Sequence, residues 1–120
     1  MGVRAIRGAI TIDHNTKQEI ILYTKQLLRE IMHVNGITSE DMISIFFTTT
    51  KDVNATFPAV AARELKLNDI PLMCAHEMEV PGSLSKCIRV MMHVNTDKTL
   101  TELTHIYLRD AKKLRPDLAK

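Results

Sequence analysis

The first ten residues alternate between two sets of side chains, as they do in a β-strand. One set is Val3, Ala5, Arg7 and Ala9, and the other is Arg4, Ile6, Gly8 and Ile10. The alternation predicts a strand over residues 2–10. Arg7 would lie between two alanines on one face of that strand, which leaves space beside its side chain.

The next segment has the pattern of an amphipathic helix. Thr16-Lys17-Gln18-Glu19 has the form of a capping box, and apolar residues then recur at helical spacing until Asn35-Gly36. The apolar positions are Ile20, Leu27, Ile31 and Val34. This is the longest predicted helix in the chain.

The rest of the chain alternates between short strands and short helical segments. Strands are predicted at residues 42–50, 71–78, 87–94 and 105–107, and helical segments at 58–65, 99–102 and 109–114. Pro58 is expected at the first position of its helix, and Pro81-Gly82 marks a turn. This order predicts an α+β fold, with one mixed β-sheet and its helices on one face, and a single domain over residues 1–120.

Composition narrows the class of protein. The 120 residues are 45% hydrophobic and 25% charged, as in ordinary soluble domains. The apolar runs are all well short of the ~20 residues of a membrane-spanning helix, and the N-terminus runs straight into patterned sequence. Cys74 and Cys87 do not form a close pair, which favours reduced thiols. We therefore expect a cytoplasmic protein without a membrane partner.

Charge argues against a nucleic-acid partner, because the net charge is +2 and basic residues are interspersed with acidic ones. The C-terminal stretch is the exception. It carries Arg109, Lys112, Lys113, Arg115 and Lys120 against Asp110 and Asp117. Both a solvated tail and contact with an anion are compatible with that pattern.

Several common catalytic motifs are absent from the sequence. It contains no Walker loop, GxGxxG, HExxH, GxSxG or paired CxxC motif. Cys74 and His76 would share one face of a strand and could bind zinc, or Cys74 could be a nucleophile, but an interior cysteine is more often a packing residue. We therefore expect neither a metal nor a cofactor. The methionines expected in the core are Met32, Met42, Met73, Met78, Met91 and Met92.

Arg89 is the residue that packing explains least well. It shares one predicted face of its strand with Cys87, Met91 and His93, in largely apolar surroundings. A charge in such surroundings needs a partner. The partner could be Glu77 on a neighbouring strand, or a ligand carboxylate in a cleft that Arg89 shares with Arg7. Tyr107, if buried, also needs a partner for its hydroxyl group.

Four stretches together resemble the monofunctional chorismate mutases of the Bacillus type. They are RAIRGAIT, FPAVAARELK, CAHEMEVPGSLSKCIRVMMHVNTD and HIYLRDAKKLRPDLA, and their order and spacing cover nearly the whole chain. The resemblance implies a trimeric pseudo-α/β-barrel, with three active sites in clefts between the subunits of a homotrimer. It also implies conversion of chorismate to prephenate in aromatic amino-acid biosynthesis. An imine deaminase on a similar trimeric scaffold and a non-catalytic metabolite-binding module are the alternatives.

The resemblance also implies roles for individual residues. Arg89 would lie beside the ether oxygen of the breaking bond, Arg7 and Tyr107 would bind carboxylates, and Glu77 and Cys74 would contact the ring hydroxyl. The expected catalytic residues are thus Arg89, Glu77 and Arg7. The residues expected to line or cover the entrance are Phe57, Arg63, Leu114 and Arg115.

Three positions fit this pattern less well. Val60 replaces an expected basic residue, and His76 precedes Glu77. Cys74 and Glu77 are three residues apart, which puts their side chains on opposite faces of a regular strand. A strand end, a bulge or a backbone role for Cys74 would reconcile them.

Overall fold

Five strands form one mixed sheet in the computed structural model, which describes residues 2–114. The strands are β1 (Gly2–Thr11), β2 (Met42–Thr49), β3 (Leu72–His76), β4 (Cys87–Thr96) and β5 (Ile106–Leu108). Their spatial order is β3-β2-β4-β1-β5. The strand β4 is antiparallel to both of its neighbours, whereas the edge strands β3 and β5 run parallel to β2 and β1. The predicted α+β class with a mixed sheet is confirmed.

Two α-helices and three short 3₁₀ helices complete the fold. The α-helices are α1 (Lys17–Asn35) and α2 (Ala59–Glu64), and the 3₁₀ helices are Ser39–Asp41, Leu100–Glu102 and Arg109–Lys113. Pro58 is the N-cap of α2 and not its first residue, so that prediction was off by one position. The strand predicted at 71–78 ends at His76, because the chain leaves the sheet there and enters an exposed loop.

At the N-terminus of α1, only one of the two hydrogen bonds of the predicted capping box forms. The Thr16 hydroxyl accepts a hydrogen bond from the Glu19 N–H at 3.1 Å. The Glu19 carboxylate accepts from the backbone N–H groups of Asp13 and His14, and not from Thr16. The helix ends at Gly36 in the left-handed conformation that glycine adopts readily (φ 64°).

Both α-helices cover the same face of the sheet and form the core with it. Leu27, Leu28 and Ile31 of α1 are fully buried in this core, together with alternate residues of the central strands. Gly8 makes the close approach possible, because a Cβ atom there would lie 2.8 Å from Ile31 Cδ1 and 3.1 Å from the Ile106 carbonyl oxygen. The predicted placement of both helices on one face is confirmed.

The opposite face of the sheet, here called the open face, is left largely uncovered by residues 2–114. Met73 and Met91 are exposed there, and Met78 is exposed in the following loop. The expectation that the methionines are core residues is therefore wrong for these three, whereas Met42 and Met92 are buried in the core and Met32 packs against it. Other exposed apolar side chains on the open face are Val3 and Phe46.

The 3₁₀ helix Arg109–Lys113 covers one corner of the open face. Arg109 forms an ion pair with Asp13 at 2.7 Å, and its guanidinium stacks 4.4 Å from the centre of the Tyr23 ring. The Asp110 N–H donates to the Thr11 hydroxyl at 3.1 Å. Arg109 thus ties this turn to the sheet and to α1, which the sequence did not indicate. None of the helices in the described range is long and apolar enough to cross a membrane.

Candidate functional site

Arg7, Arg89 and Tyr107 surround Ala9 on the open face. Ala9 is directly opposite Arg89 on β4 and also pairs with Tyr107 on β5, and Arg7 lies two residues before it on β1. Diagonal neighbours on adjacent strands are roughly 7 Å apart, and residues two strands apart are roughly 10 Å apart. The three polar side chains therefore lie around a small, buried alanine on the open face. The sequence left open whether Arg7 and Arg89 face one cleft, and the register puts both on this face.

Arg89 pairs with Glu77 within the chain. Its Nε atom lies 3.1 Å from Glu77 Oε2, as an ion pair whose geometry is not aligned for a hydrogen bond. The side chains keep 30% and 19% of their exposure, so the pair lies at the surface of the open face and not in the core. Of the two partners that the sequence left open for Arg89, the structure shows Glu77. The pair puts a carboxylate and a guanidinium side by side on the open face.

Glu77 stands just beyond the end of β3. Its backbone N–H donates to the Thr49 carbonyl oxygen at 2.8 Å, which extends the pairing with β2 by one residue. Its carboxylate oxygen Oε2 also accepts a hydrogen bond from the hydroxyl of Thr48, which is opposite Arg89 on β2. Sequence reasoning missed Thr48, because its role depends on strand register. A threonine on the strand next to an arginine was the available signal.

Tyr107 is almost completely buried beside this group, with 1% of its surface exposed. It packs in a small apolar cluster with Ala9, Cys87 and Ala111, and Leu114 packs against that cluster. Its hydroxyl group has no hydrogen-bond partner among residues 2–114. A buried phenolic hydroxyl usually has a partner, and the described residues supply none for this one.

The thiol of Cys87 lies in the same cluster and stays protonated at neutral pH. Burial raises the pKa of Cys87 to about 11, although the neighbouring Arg89 guanidinium opposes that rise. Cys87 is therefore a packing residue at this site and not a thiolate nucleophile.

A second group lies on the helix-covered side of β3. It consists of Phe57, Arg63 and Cys74. Cys74 packs against the helix-covered core, beside the N–H of Ala59. Desolvation raises the pKa of its thiol, while the Ala59 N–H and the Arg63 charge oppose that rise. Phe57 is 66% exposed and lines a cavity of about 440 Å³ with Cys74 and His76. We call Phe57, Arg63 and Cys74 the edge group.

The predicted site residues therefore fall into two sets within one chain. The open-face group contains Arg7, Glu77, Arg89, Tyr107 and Leu114. The edge group lies on the helix-covered side of β3. Cys74 and Glu77 lie on opposite faces, as their spacing predicts. Arg115 lies outside the described residues. Within residues 2–114, no three side chains of the metal-binding types come together, so Cys74 and His76 lack further ligands there.

The fold and the open face define an α+β protein whose sheet presents Arg7 and the Arg89–Glu77 ion pair on one face. The family model of chorismate mutase type I matches residues 3–118, and the chain belongs to that family. It is 45% identical over 117 residues to the chorismate mutase AroH of Thermus thermophilus, covering 97% of this chain and 96% of that protein. It is also 45% identical over 120 residues to the chorismate mutase AroH of Bacillus subtilis (strain 168), covering 99% and 94%.

A solved structure agrees with these sequence relatives. The chorismate mutase from Clostridium thermocellum superimposes with a TM-score of 0.91 at 54% identity, covering 92% of this chain and 98% of that one. The resemblance that the four sequence stretches indicated is confirmed. The comparisons favour a mutase over the imine deaminase and the binding module.

Proposed function

We propose that the chain is a chorismate mutase that converts chorismate to prephenate in aromatic amino-acid biosynthesis. Membership of the type I family supports the activity. The observation that carries the chemistry is the position of Arg89, which lies at the surface of the open face, diagonal to Arg7 and paired with Glu77. The partly exposed guanidinium of Arg89 supports a role in binding a dianionic substrate.

The reaction is an intramolecular Claisen-type rearrangement, in which a carbon–oxygen bond breaks as a carbon–carbon bond forms. Such a concerted step needs no general base, nucleophile or redox group from the protein. The protein can contribute in two ways. It can hold the substrate in the folded, chair-like conformer, and it can stabilise the negative charge that develops on the ether oxygen.

We assign these contributions to individual side chains. Arg89 would donate to the ether oxygen, where its effect is largest in the transition state. Arg7 and the Tyr107 hydroxyl, which has no partner within residues 2–114, would bind the carboxylates, because both lie beside Ala9 in the strand register. Glu77 would accept from the ring hydroxyl while it holds Arg89 in place.

The edge group and the open-face group lie on opposite faces of the sheet in one chain, with Cys74 packed toward α2 and Glu77 paired with Arg89. We infer that the edge group of one chain completes the open-face group of a neighbour in a homotrimer. Phe57 and Arg63 would then line the entrance, and the Cys74 thiol or backbone would contact the ring hydroxyl. Leu114 and Arg115 would cover the same entrance from the C-terminal side.

The exposed apolar side chains of the open face support this assembly. Val3, Phe46, Met73 and Met91 lie on an otherwise uncovered sheet. A contiguous apolar surface of this kind usually marks an interface. Three copies packed through their open faces would give the pseudo-barrel that the resemblance implies.

We propose that residues 1–120 act as one domain, which the family match over residues 3–118 supports. We also propose a cytoplasmic location. The support is that both cysteines, Cys74 and Cys87, are free thiols, as is usual in a reducing compartment.

A direct assay tests the proposed activity. Purified protein is incubated with chorismate, and the loss of the substrate diene is followed by its ultraviolet absorbance. We expect acceleration over buffer and formation of prephenate as the product. A rate equal to that in buffer would reject the proposed function.

A further inference from the structure

Thr48 lies on β2 between Glu77 and Arg89. It is the direct register partner of Ala75 on β3 and of Arg89 on β4. Its hydroxyl group donates to Glu77 Oε2, the same oxygen that lies 3.1 Å from Arg89 Nε. The Glu77 oxygen Oε2 therefore contacts both the Thr48 hydroxyl on β2 and the Arg89 guanidinium on β4.

The Glu77 carboxylate needs a second contact to fix its orientation, because Glu77 lies just after the end of β3. It follows the last residue of β3, and the residues after it form an exposed loop. The Nε contact from Arg89 is close but poorly aligned, so the ion pair alone orients the carboxylate weakly. A partly exposed ion pair also restrains its side chains little.

The Thr48 side chain can supply the missing orientation. It is half-buried on a central strand, and β-branching restricts its χ1 angle, so its hydroxyl is held near one position. Hydrogen bonds to charged acceptors are also among the stronger ones in proteins. The bond to Oε2 thus fixes which oxygen faces Arg89.

We propose that Thr48 is a positioning residue for the rearrangement, acting through Glu77 on Arg89. This role rests on the proposed function. With Oε2 held by Thr48 and Arg89, the oxygen Oε1 is left for the substrate hydroxyl, since no hydrogen bond or ion pair within residues 2–114 involves it. The guanidinium of Arg89 is held in one orientation before the ether oxygen becomes anionic.

Two substitutions at this position separate the hydroxyl group from the shape of the side chain. Thr48→Val keeps the β-branched shape and removes the donor, whereas Thr48→Ser keeps the donor. We expect Thr48→Val to lower kcat about tenfold, because small misplacement of a catalytic group is costly, while KM changes less than about twofold. Thr48→Ser should restore kcat to within about threefold of the wild-type value. Thermal unfolding of each variant confirms that folded proteins are compared.

A double-substitution cycle with Glu77→Gln tests whether Thr48 acts through Glu77. In the Glu77→Gln background, Thr48→Val should change kcat by less than about twofold, since the acceptor that Thr48 orients is already altered. A residue that only stabilised β2 would give the same fold-change in both backgrounds.

Three results would overturn the positioning role: wild-type kcat in Thr48→Val, equal losses in the valine and serine variants, or additive effects in the cycle. Each of these can be read only with an active wild-type enzyme, so they reject the role of Thr48 and leave the proposed function intact. A wild-type protein that does not accelerate the reaction would reject the proposed function and this role together.

Discussion

Cys74 and Glu77 are three residues apart, yet their side chains lie on opposite faces of the sheet. Glu77 pairs with Arg89 on the open face, and Cys74 packs toward α2 and Arg63. Both were expected to contact the same substrate hydroxyl group. Within one chain the two side chains face away from each other, which is why we propose that they approach one ligand from different chains.

Substitutions of Arg89 and Arg63 should affect different kinetic constants. Arg89→Lys keeps the charge but loses the planar donor geometry, so kcat should fall about 10²–10³-fold with a smaller rise in KM. Arg63→Ala should chiefly raise KM, because Arg63 would bind substrate at the entrance. Steady-state assays over a range of chorismate concentrations measure both. Arg29→Lys on α1 is the matched control and should be neutral. Equal effects on KM alone would contradict the assignment.

A mixture of two impaired variants should regain activity if the site is shared. Arg89→Ala damages the open-face group, and Arg63→Ala damages the edge group. In randomly mixed head-to-tail trimers, roughly a quarter of the interfaces would combine two intact halves. Co-refolded mixtures, assayed at low chorismate, should therefore show about that share of wild-type activity.

The control for this experiment is each variant refolded alone and then combined without exchange of subunits. That sample should show only the sum of the two residual activities. Co-refolded mixtures that match this sum would place the whole site within one chain.

A charge on the open face should weaken the assembly. Met91 is exposed at the centre of the sheet in the single chain, so Met91→Lys would bury an unpaired charge in the interface. Sedimentation or size-exclusion measurements should show a shift toward the monomer. Leu22→Lys on the outer surface of α1 is the control, since Leu22 is also exposed but lies away from the open face. A trimer unaffected by Met91→Lys would exclude this face as the interface.

Cys87 should make stability depend on alkaline pH. Burial raises the pKa of its thiol from 9.0 to about 11, so the folded chain keeps a proton that the unfolded chain releases. This contribution is present below pH 9 and is lost as pH rises through about 11. It amounts to about 3 kcal/mol of the free energy of unfolding.

Urea unfolding between pH 8 and pH 11 measures this contribution. Cys74→Ala is the background, so that one thiol remains, and protein concentration is kept constant because assembly affects apparent stability. Adding Cys87→Ala should flatten the alkaline decline. An unchanged decline would show that Cys87 is not its source.

Gly8 should not tolerate a side chain. A Cβ atom there would meet Ile31 Cδ1 at 2.8 Å and the Ile106 carbonyl oxygen at 3.1 Å, so α1 or β5 would have to move. We expect Gly8→Ala to reduce the free energy of unfolding by about 1–3 kcal/mol. Gly2→Ala is the control, because its nearest contact is the flexible end of Arg4. Equal melting temperatures for the two variants would contradict the close approach.

Much of the fold could be predicted from the sequence because local patterns determine it. The alternation in β1, the Thr16 cap and the Gly36 end of α1 each depend on neighbouring residues alone. The exposure of Met73 and Met91 could not be predicted from the same patterns. The sequence pattern of an apolar face is the same whether a helix of the same chain or another chain covers it.

The site could be predicted in part for the same reason. Arg7 and Arg89 follow from strand alternation, and the pair of Arg89 with Glu77 was one of two open alternatives. Thr48 was missed because its contact with Glu77 depends on the register of β2 against two neighbours, which are distant in sequence. Ala9 was expected to leave room beside Arg7, but its position between Arg89 and Tyr107 depends on register as well.

The separation of Cys74 from Glu77 has a consequence for how the enzyme would behave at low abundance. If each cleft is shared, turnover per chain is not a constant of the molecule. It would decline as the protein is diluted below the dissociation constant of the trimer, and substrate would oppose that decline by bridging two subunits. A cell that made too little of this chain would therefore lose flux faster than it lost protein.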